Sequence, residues 1–322
     1  VKRRLIIGGA LLAVALSLPW WAGEYWTHVA IMSYFYVIVA SSWNLLSGYG
    51  GQLSFAHVTF TTIGAYTSSL VALNLGLPPA LSMVSAALMG ALAGYLLGVL
   101  CLRMRGIYHS LTTLAFAEAF RTVLNLEYRI TRGPLGLRSV PLFSSTSKLP
   151  YYFAALALCV AVLLFIDRIV RSPVGRTLEA IREDQTAASV VGVSLTRYKL
   201  FTWSVVAGIA GLGGAFLGHY ILIVTPDWAT QTQMALVIAM AIMGGLGTLV
   251  GPVLGAVGVQ FLSEYLRVYG RYYMVIFGLA LILMLRFTPG GVIEIATRIG
   301  QLTASARASA EPEAPGRRKP NS

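Results

Sequence analysis

The chain has 322 residues, of which 57% are hydrophobic and 11% charged, with a formal net charge of +12. A soluble domain of this size needs more polar surface than that, so the composition points to an integral membrane protein in a lipid bilayer. In such a chain the excess of Lys and Arg reads as cytoplasmic charge facing anionic headgroups, and nucleic acid is not an expected partner.

The chain opens with Lys2, Arg3 and Arg4 ahead of an apolar run over 5–22. A signal peptide has this outline. The run is long, however, and ends in Trp20-Trp21 with no clear small-residue cleavage site after it, so a first transmembrane helix with an aromatic anchor is the better reading. A second span is expected at 27–47. The stretch 48–70 is apolar but holds Gln52, Ser54, His57 and several Thr, and it begins with Gly48, Gly50 and Gly51. That pattern predicts a broken helix, which a membrane tolerates where the break is buried in protein or lines a wet cavity. Most of its Ser and Thr are expected to bond back to their own helix.

A fourth span, 79–102, carries Gly90, Gly94 and Gly98 at four-residue spacing, a stripe suited to close helix packing. A fifth, 107–125, contains Glu118 and Arg121, three apart on one face, either a self-satisfying ion pair or part of a pathway. A polar loop follows at 126–149, then a sixth span at 150–170. The polar interruption 171–199 comes next. Projected as one amphipathic helix, it sets Leu178, Ile181, Gln185 and Ala188 on one side, with Arg182, Glu183 and Asp184 mostly elsewhere. An ordinary charged loop is the plainer alternative.

Spans are then expected at 200–224, 230–243, 251–266 and 272–287. Gly211, Gly214 and Gly218 serve tight contacts in the first of these, where His219 reads as a satisfied interfacial side chain. Gly244 and Gly245 open a Gly/Pro-rich break between the next two. Cys101 and Cys159 lie in apolar runs and read as packing hydrophobes rather than a disulfide or metal pair. Residues 301–322 have the composition of a disordered tail. The division is thus a transmembrane domain over 1–300, with 171–199 as its cytoplasmic loop, and a tail over 301–322. The fold class is an all-α, polytopic bundle of about ten transmembrane helices. If the N-terminus is cytoplasmic, most of the 24 Lys and Arg fall inside, as does the C-terminus. YGGQ at 49–52 and MGGL at 243–246 form a weak internal echo, compatible with an inverted repeat.

Several runs carry a family resemblance. Thr186-Ala187-Ala188, three residues and then Gly192 resemble the EAA-x3-G loop of ABC importer permeases, with Thr186 standing in place of the usual Glu. The wider run EAIREDQTAASVVGVSLTRYKL, together with NLLSGYGGQLSFAH, TLAFAEAFR and TRGPLGL, resembles the LivM-type branched-chain amino acid permeases. The resemblance implies a bacterial inner-membrane subunit forming half of a translocation pathway for branched-chain or related amino acids. Its implied partners are a second, LivH-like permease, two cytoplasmic ATP-binding subunits and an extracytoplasmic substrate-binding protein. The loop residues Glu179, Ala180, Arg182, Glu183, Asp184, Ala187, Ala188 and Gly192 become candidates for ATPase coupling. Gly51, Gln52, Ser54, His57, Glu118, Gly244 and Gly245 become candidates for the pathway.

The residues agree in part. The chain has no Walker A motif, so no nucleotide cofactor is expected on it, and ATP is assigned to partner chains. A stand-alone secondary transporter or channel for a small polar solute is the competing class, and it usually needs midplane carboxylates; Glu118 is the one candidate, with Arg121 beside it. A membrane enzyme is the third. It needs a convergent nucleophile, base or metal set, whereas His28, His57, His109 and His219 are scattered, so no catalytic or metal residues are expected.

Overall fold

The computed structural model describes residues 14–104, 106–145 and 147–266, with a few isolated positions beyond. Residues 5–13 of the first expected span, most of the last span (272–287) and the tail (301–322) lie outside the described residues. Residues 14–21 are helical. Helix α1 (Glu24–Asn44) runs into a π-turn, Leu45–Tyr49. Irregular backbone leads to α2 (His57–Leu75), α3 (Pro79–Cys101) and α4 (Ile107–Leu126). After a short strand β1 (Leu137–Arg138) come α5 (Leu149–Arg171), α6 (Pro173–Glu183), α7 (Gln185–Val190) and α8 (Leu195–Ile221). Strand β2 (Ile223–Val224), α9 (Gln231–Gly244) and α10 (Val250–Leu266) complete the described fold.

Among the described residues, four segments are long and apolar enough to cross a membrane: Glu24–Tyr49, Pro79–Cys101, Leu149–Arg171 and Leu195–Ile221. Helices α9 and α10 are apolar but shorter, at 14 and 17 residues. Their burial patterns differ in a way the sequence explains. Helix α1 is apolar on every side, and Ile31, Val39 and Trp43 are fully buried, so it is a core helix. Helix α3 buries one stripe, Ser82, Ala86, Gly90, Gly94 and Gly98, at four-residue spacing, while Leu88, Leu92 and Leu96 face outward.

Lipid tails are as apolar as the helices, so hydrophobicity gives little drive for helices to associate. Close backbone approach and dispersion contacts do the packing instead. A Cβ at Gly90 would lie 2.5 Å from the Ala207 carbonyl oxygen of α8, and one at Gly94 would lie 2.5 Å from that of Trp203. On another face of α8, a side chain at Gly214 would overlap the Thr61 carbonyl of α2, and one at Gly64 would overlap Gly211. Several hydroxyls inside the helices are satisfied locally. The hydroxyls of Ser33, Thr61, Thr62 and Thr202 donate to carbonyls three or four residues back. Cys101 and Cys159 are buried free thiols.

The chain's connections sort to two ends. At one end, residues near 48–53, 103–110, 182–199 and 247–248 come together. At the other, Lys148 pairs with Glu24 at 3.7 Å and β1 pairs antiparallel with β2.

The structure departs from the sequence expectations in three places, and it brings two distant segments together. The interruption 171–199 is not one helix: extended backbone at Asp184 (φ −152°) divides α6 from α7. The seventh span begins at Leu195, five residues early, and takes in Arg197 and Lys199. The polar loop contributes a strand to a two-stranded pair, so the fold is helical but not purely so. Lastly, the two glycine echoes meet: Asn44 bonds Gly247 across them at 2.9 Å.

Candidate functional site

Helices α6 and α7 form a step at one end of the bundle. Pro173 opens α6, and the Ser172 hydroxyl oxygen accepts the Val174 N–H at 3.2 Å, capping it. Leu178 and Ile181 are fully buried and anchor this helix to the bundle. The Asp184 carboxylate then accepts the N–H groups of Thr186 (2.7 Å) and Ala187 (3.1 Å), starting α7 in a new direction. Ala188 is buried, whereas Glu179, Ala180, Glu183, Asp184 and Ala187 are exposed. At the tip, Val190 and Val191 are each 83% exposed. Gly192 follows at φ +89°, and no atom lies within 4 Å of where its Cβ would be. The step thus presents an apolar tip on a polar shelf.

Arg182 is exposed as well, but its guanidinium reaches back to the bundle end. Its Nη1 donates to the Gly48 carbonyl at 2.7 Å, while Nη2 and Nε donate to Glu183 Oε1 at 2.7 and 3.3 Å. Its stem lies against Gly51, which sits at φ +66° and has no room for a side chain: a Cβ there would be 2.7 Å from Arg182 Cγ. The Asn44 amide joins the two glycine breaks. Its oxygen accepts the Gly247 N–H and its nitrogen donates to the Thr248 carbonyl, both at 2.9 Å. Gly244 packs on Gly251 with no space for a Cβ, and Gly245 turns the chain at φ +118°.

Gln52, Ser54 and His57 are buried inside the bundle. Gln52 Oε1 accepts the Trp203 indole N–H at 3.0 Å, and the Ser54 carbonyl accepts that of Trp43 at 2.8 Å. His57 Nε2 lies 2.8 Å from the Ser42 hydroxyl. These three therefore fasten the irregular segment between α1 and α2. Beside that segment is a cavity of ≈ 470 Å³ lined by Gly51, Gln52, Phe55, His109, Gln185 and Lys199, and within it Lys199 donates to Gln185 Oε1 at 2.9 Å. Glu118 is elsewhere. It pairs with Arg121 at 3.1 Å on a half-exposed face of α4.

Asn44, Trp43, Trp203 and Lys199 hold this end together, and sequence reasoning did not single them out. A lone amide just before a glycine run was the available signal for Asn44, because an unsatisfied polar group is costly inside a membrane. Nothing in the spacing marks the two tryptophans, whose acceptors lie 11 and 151 residues away.

Residues 25–285 match the family model described as branched-chain amino acid transport system, permease component. The chain belongs to this family. It is 32% identical to the high-affinity branched-chain amino acid transport system permease protein LivM of Salmonella typhimurium, over 91% of this chain and 75% of that protein. It is also similar to LivH, a permease protein of the same named system in that organism, at 24% identity over 80% of this chain and 91% of LivH. The autoinducer 2 import system permease protein LsrC of Salmonella paratyphi B is 27% identical over 58% of this chain and 55% of LsrC. No solved structure matches the chain. As a member of this family, the chain is a helical membrane permease that acts with other subunits.

Proposed function

We propose that this chain is one of two permease subunits of an ABC importer for branched-chain or related amino acids. The observation that carries the coupling role is the exposed Val190-Val191 tip on a step whose base is fixed by Leu178 and Ile181. Burying a valine contributes about 1.5 kcal/mol or more, so such a tip is a docking knob for a partner protein. The chain has no nucleotide motif of its own, and the partner in this reading is an ATP-binding subunit, two of which drive the complex. The step then lies in the cytoplasm, together with both termini and the end of the bundle that holds Arg182 and Lys199, in accord with the positive-inside rule. The plan has ten spans in all, in an inner membrane.

The LivM and LivH relatives support the solute class and a pathway shared between two permeases. The half-exposed Glu118–Arg121 pair supports the second permease as well, because in this reading α4 is a span, and a charged pair within the membrane needs a polar or aqueous cover. An extracytoplasmic binding protein delivers the solute at the opposite end. The mechanism is alternating access: ATP binds one state of the complex more tightly than the other and so shifts the step and the helices behind it.

Capture from detergent-solubilised membranes tests this reading. An ATPase subunit co-purifies with the wild type, and it is lost from Val190→Asp combined with Val191→Asp, and from Gly192→Arg, while each protein still inserts. Undiminished capture by the valine double variant rules out the tip as the docking element.

A further inference from the structure

Arg182 lies where three separated pieces of chain meet: α6, the π-turn that ends α1, and the loop joining α9 to α10. Its guanidinium is divided between two acceptors. Nη2 and Nε hold the Glu183 carboxylate, and Nη1 holds the Gly48 carbonyl at 2.7 Å. That carbonyl belongs to a helix C-terminus, where oxygens lack intrahelical partners and the helix dipole favours a cation. The contact is close on its inner side, while the side chain as a whole stays 40% exposed. The arginine stem fills the space a side chain at Gly51 would need, and a Cβ at Gly247 would lie 3.1 Å from Nη1. Gly48 itself is pressed on Gly247, whose nitrogen would lie 2.7 Å from a Gly48 Cβ. Asn44, one turn earlier, bonds both Gly247 and Thr248.

We infer that Arg182 is the positioning residue that carries movement of the α6–α7 step into the transmembrane helices, by gripping the Gly48 turn that Asn44 ties to the second glycine break. This rests on the docking role proposed above for the step. A shift of α6 must either break the bond to Gly48 or drag the end of α1. Because Asn44 spans both breaks, dragging α1 moves the α9–α10 loop with it. The backbone can yield at this point because glycines meet there; the buried body of α1 cannot. A planar guanidinium reaches a carboxylate and a carbonyl at once, whereas a lysine ammonium is a point charge and holds one of them well.

The test uses the complete complex in proteoliposomes, with its companion permease, ATPase subunits and binding protein. Leucine uptake and ATP hydrolysis are measured for the wild type, Arg182→Gln, Arg182→Lys and Glu183→Gln. The ATPase subunits stay bound in all four. Uptake per ATP falls about ten-fold in Arg182→Gln. It falls less in Arg182→Lys, and least in Glu183→Gln, which loosens the guanidinium without removing it. If uptake and hydrolysis fall together, Arg182 is merely structural and the inference is overturned; an unchanged ratio overturns it too. Should Arg182→Gln fail to insert, the exposed Glu183→Gln decides by the same ratio. Failure of the wild type to hold an ATPase defeats the docking role, and this inference with it. Assembly with an unmoved ratio defeats this inference alone.

Discussion

The two ends of the bundle are fastened in opposite ways. At the end that carries β1 and β2, one imidazole locks the loop: His219 Nε2 lies 2.7 Å from the Ser68 hydroxyl, and Nδ1 lies 2.6 Å from the Val140 carbonyl and 3.1 Å from the Ser139 hydroxyl. Ser69 adds a bond to Ser139 at 2.9 Å. The loop over 131–143 is thereby bound to α2 and α8 from several directions. At the other end, the α6–α7 step is rooted by the buried Leu178, Ile181 and Ala188 and leaves two valines in the open. The difference teaches how each end is held: by a polar lock at one, and at the other by an apolar root under an exposed tip, the end that the proposed docking role offers to a partner. A satisfied polar network needs nothing more, whereas an exposed apolar tip gains by being covered.

The sharpest way to break this comparison is to disturb the helix both ends depend on. Gly214→Val drives a side chain into the Thr61 carbonyl and forces α2 and α8 apart, at a cost of about 3 kcal/mol. The measurement is the thermal unfolding midpoint in detergent, and an unchanged midpoint would refute the close crossing. His219→Ala comes next. It strands the groups the imidazole serves, costing about 2 kcal/mol of stability while leaving ATPase capture intact. A loss of capture in that variant would mean the ends are not independent.

Smaller effects are expected at the offered end. Val190→Ser weakens docking by about 1.5 kcal/mol, close to ten-fold in affinity, with no change in the unfolding midpoint. Titration of purified ATPase against the permease in nanodiscs checks it. The smallest is Asp184→Ala, which removes the cap of α7 and costs about 1 kcal/mol. Hydrogen exchange should then rise in 185–190 and nowhere in α8; protection that stays intact would show that α7 is held by tertiary contacts alone.

Much of the fold is legible in the letters because a membrane imposes simple demands. Long apolar runs must be helical, so the bounds expected for α3, α4 and α5 agree with the structure to within a residue or two. Helix α2 starts later than expected, at His57 after the break, and α8 starts early, for which there is a tertiary cause. Lys199 looks like a loop residue by charge, yet it is buried beside Gln185, and that contact lies 14 residues along the chain. The single amphipathic projection over 171–199 succeeded for Leu178, Ile181 and Ala188, all buried, but it carried no sign of the turn at Asp184. A carboxylate that caps the next helix and one that merely faces water have the same letter.

Composition, hydrophobic period and a few motif strings therefore determined the class of protein, the family and the placement of the polar step, since these depend on local chemistry and on the solvent around the chain. Tertiary structure alone decided that Gly48, Arg182 and Gly247 share one node, that Gln52, Ser54 and His57 are buried fasteners, and that the two glycine breaks are neighbours. Those facts depend on which distant backbones approach each other, and in a bilayer that is set by steric fit between small residues on different helices, a quantity no single stretch of sequence contains.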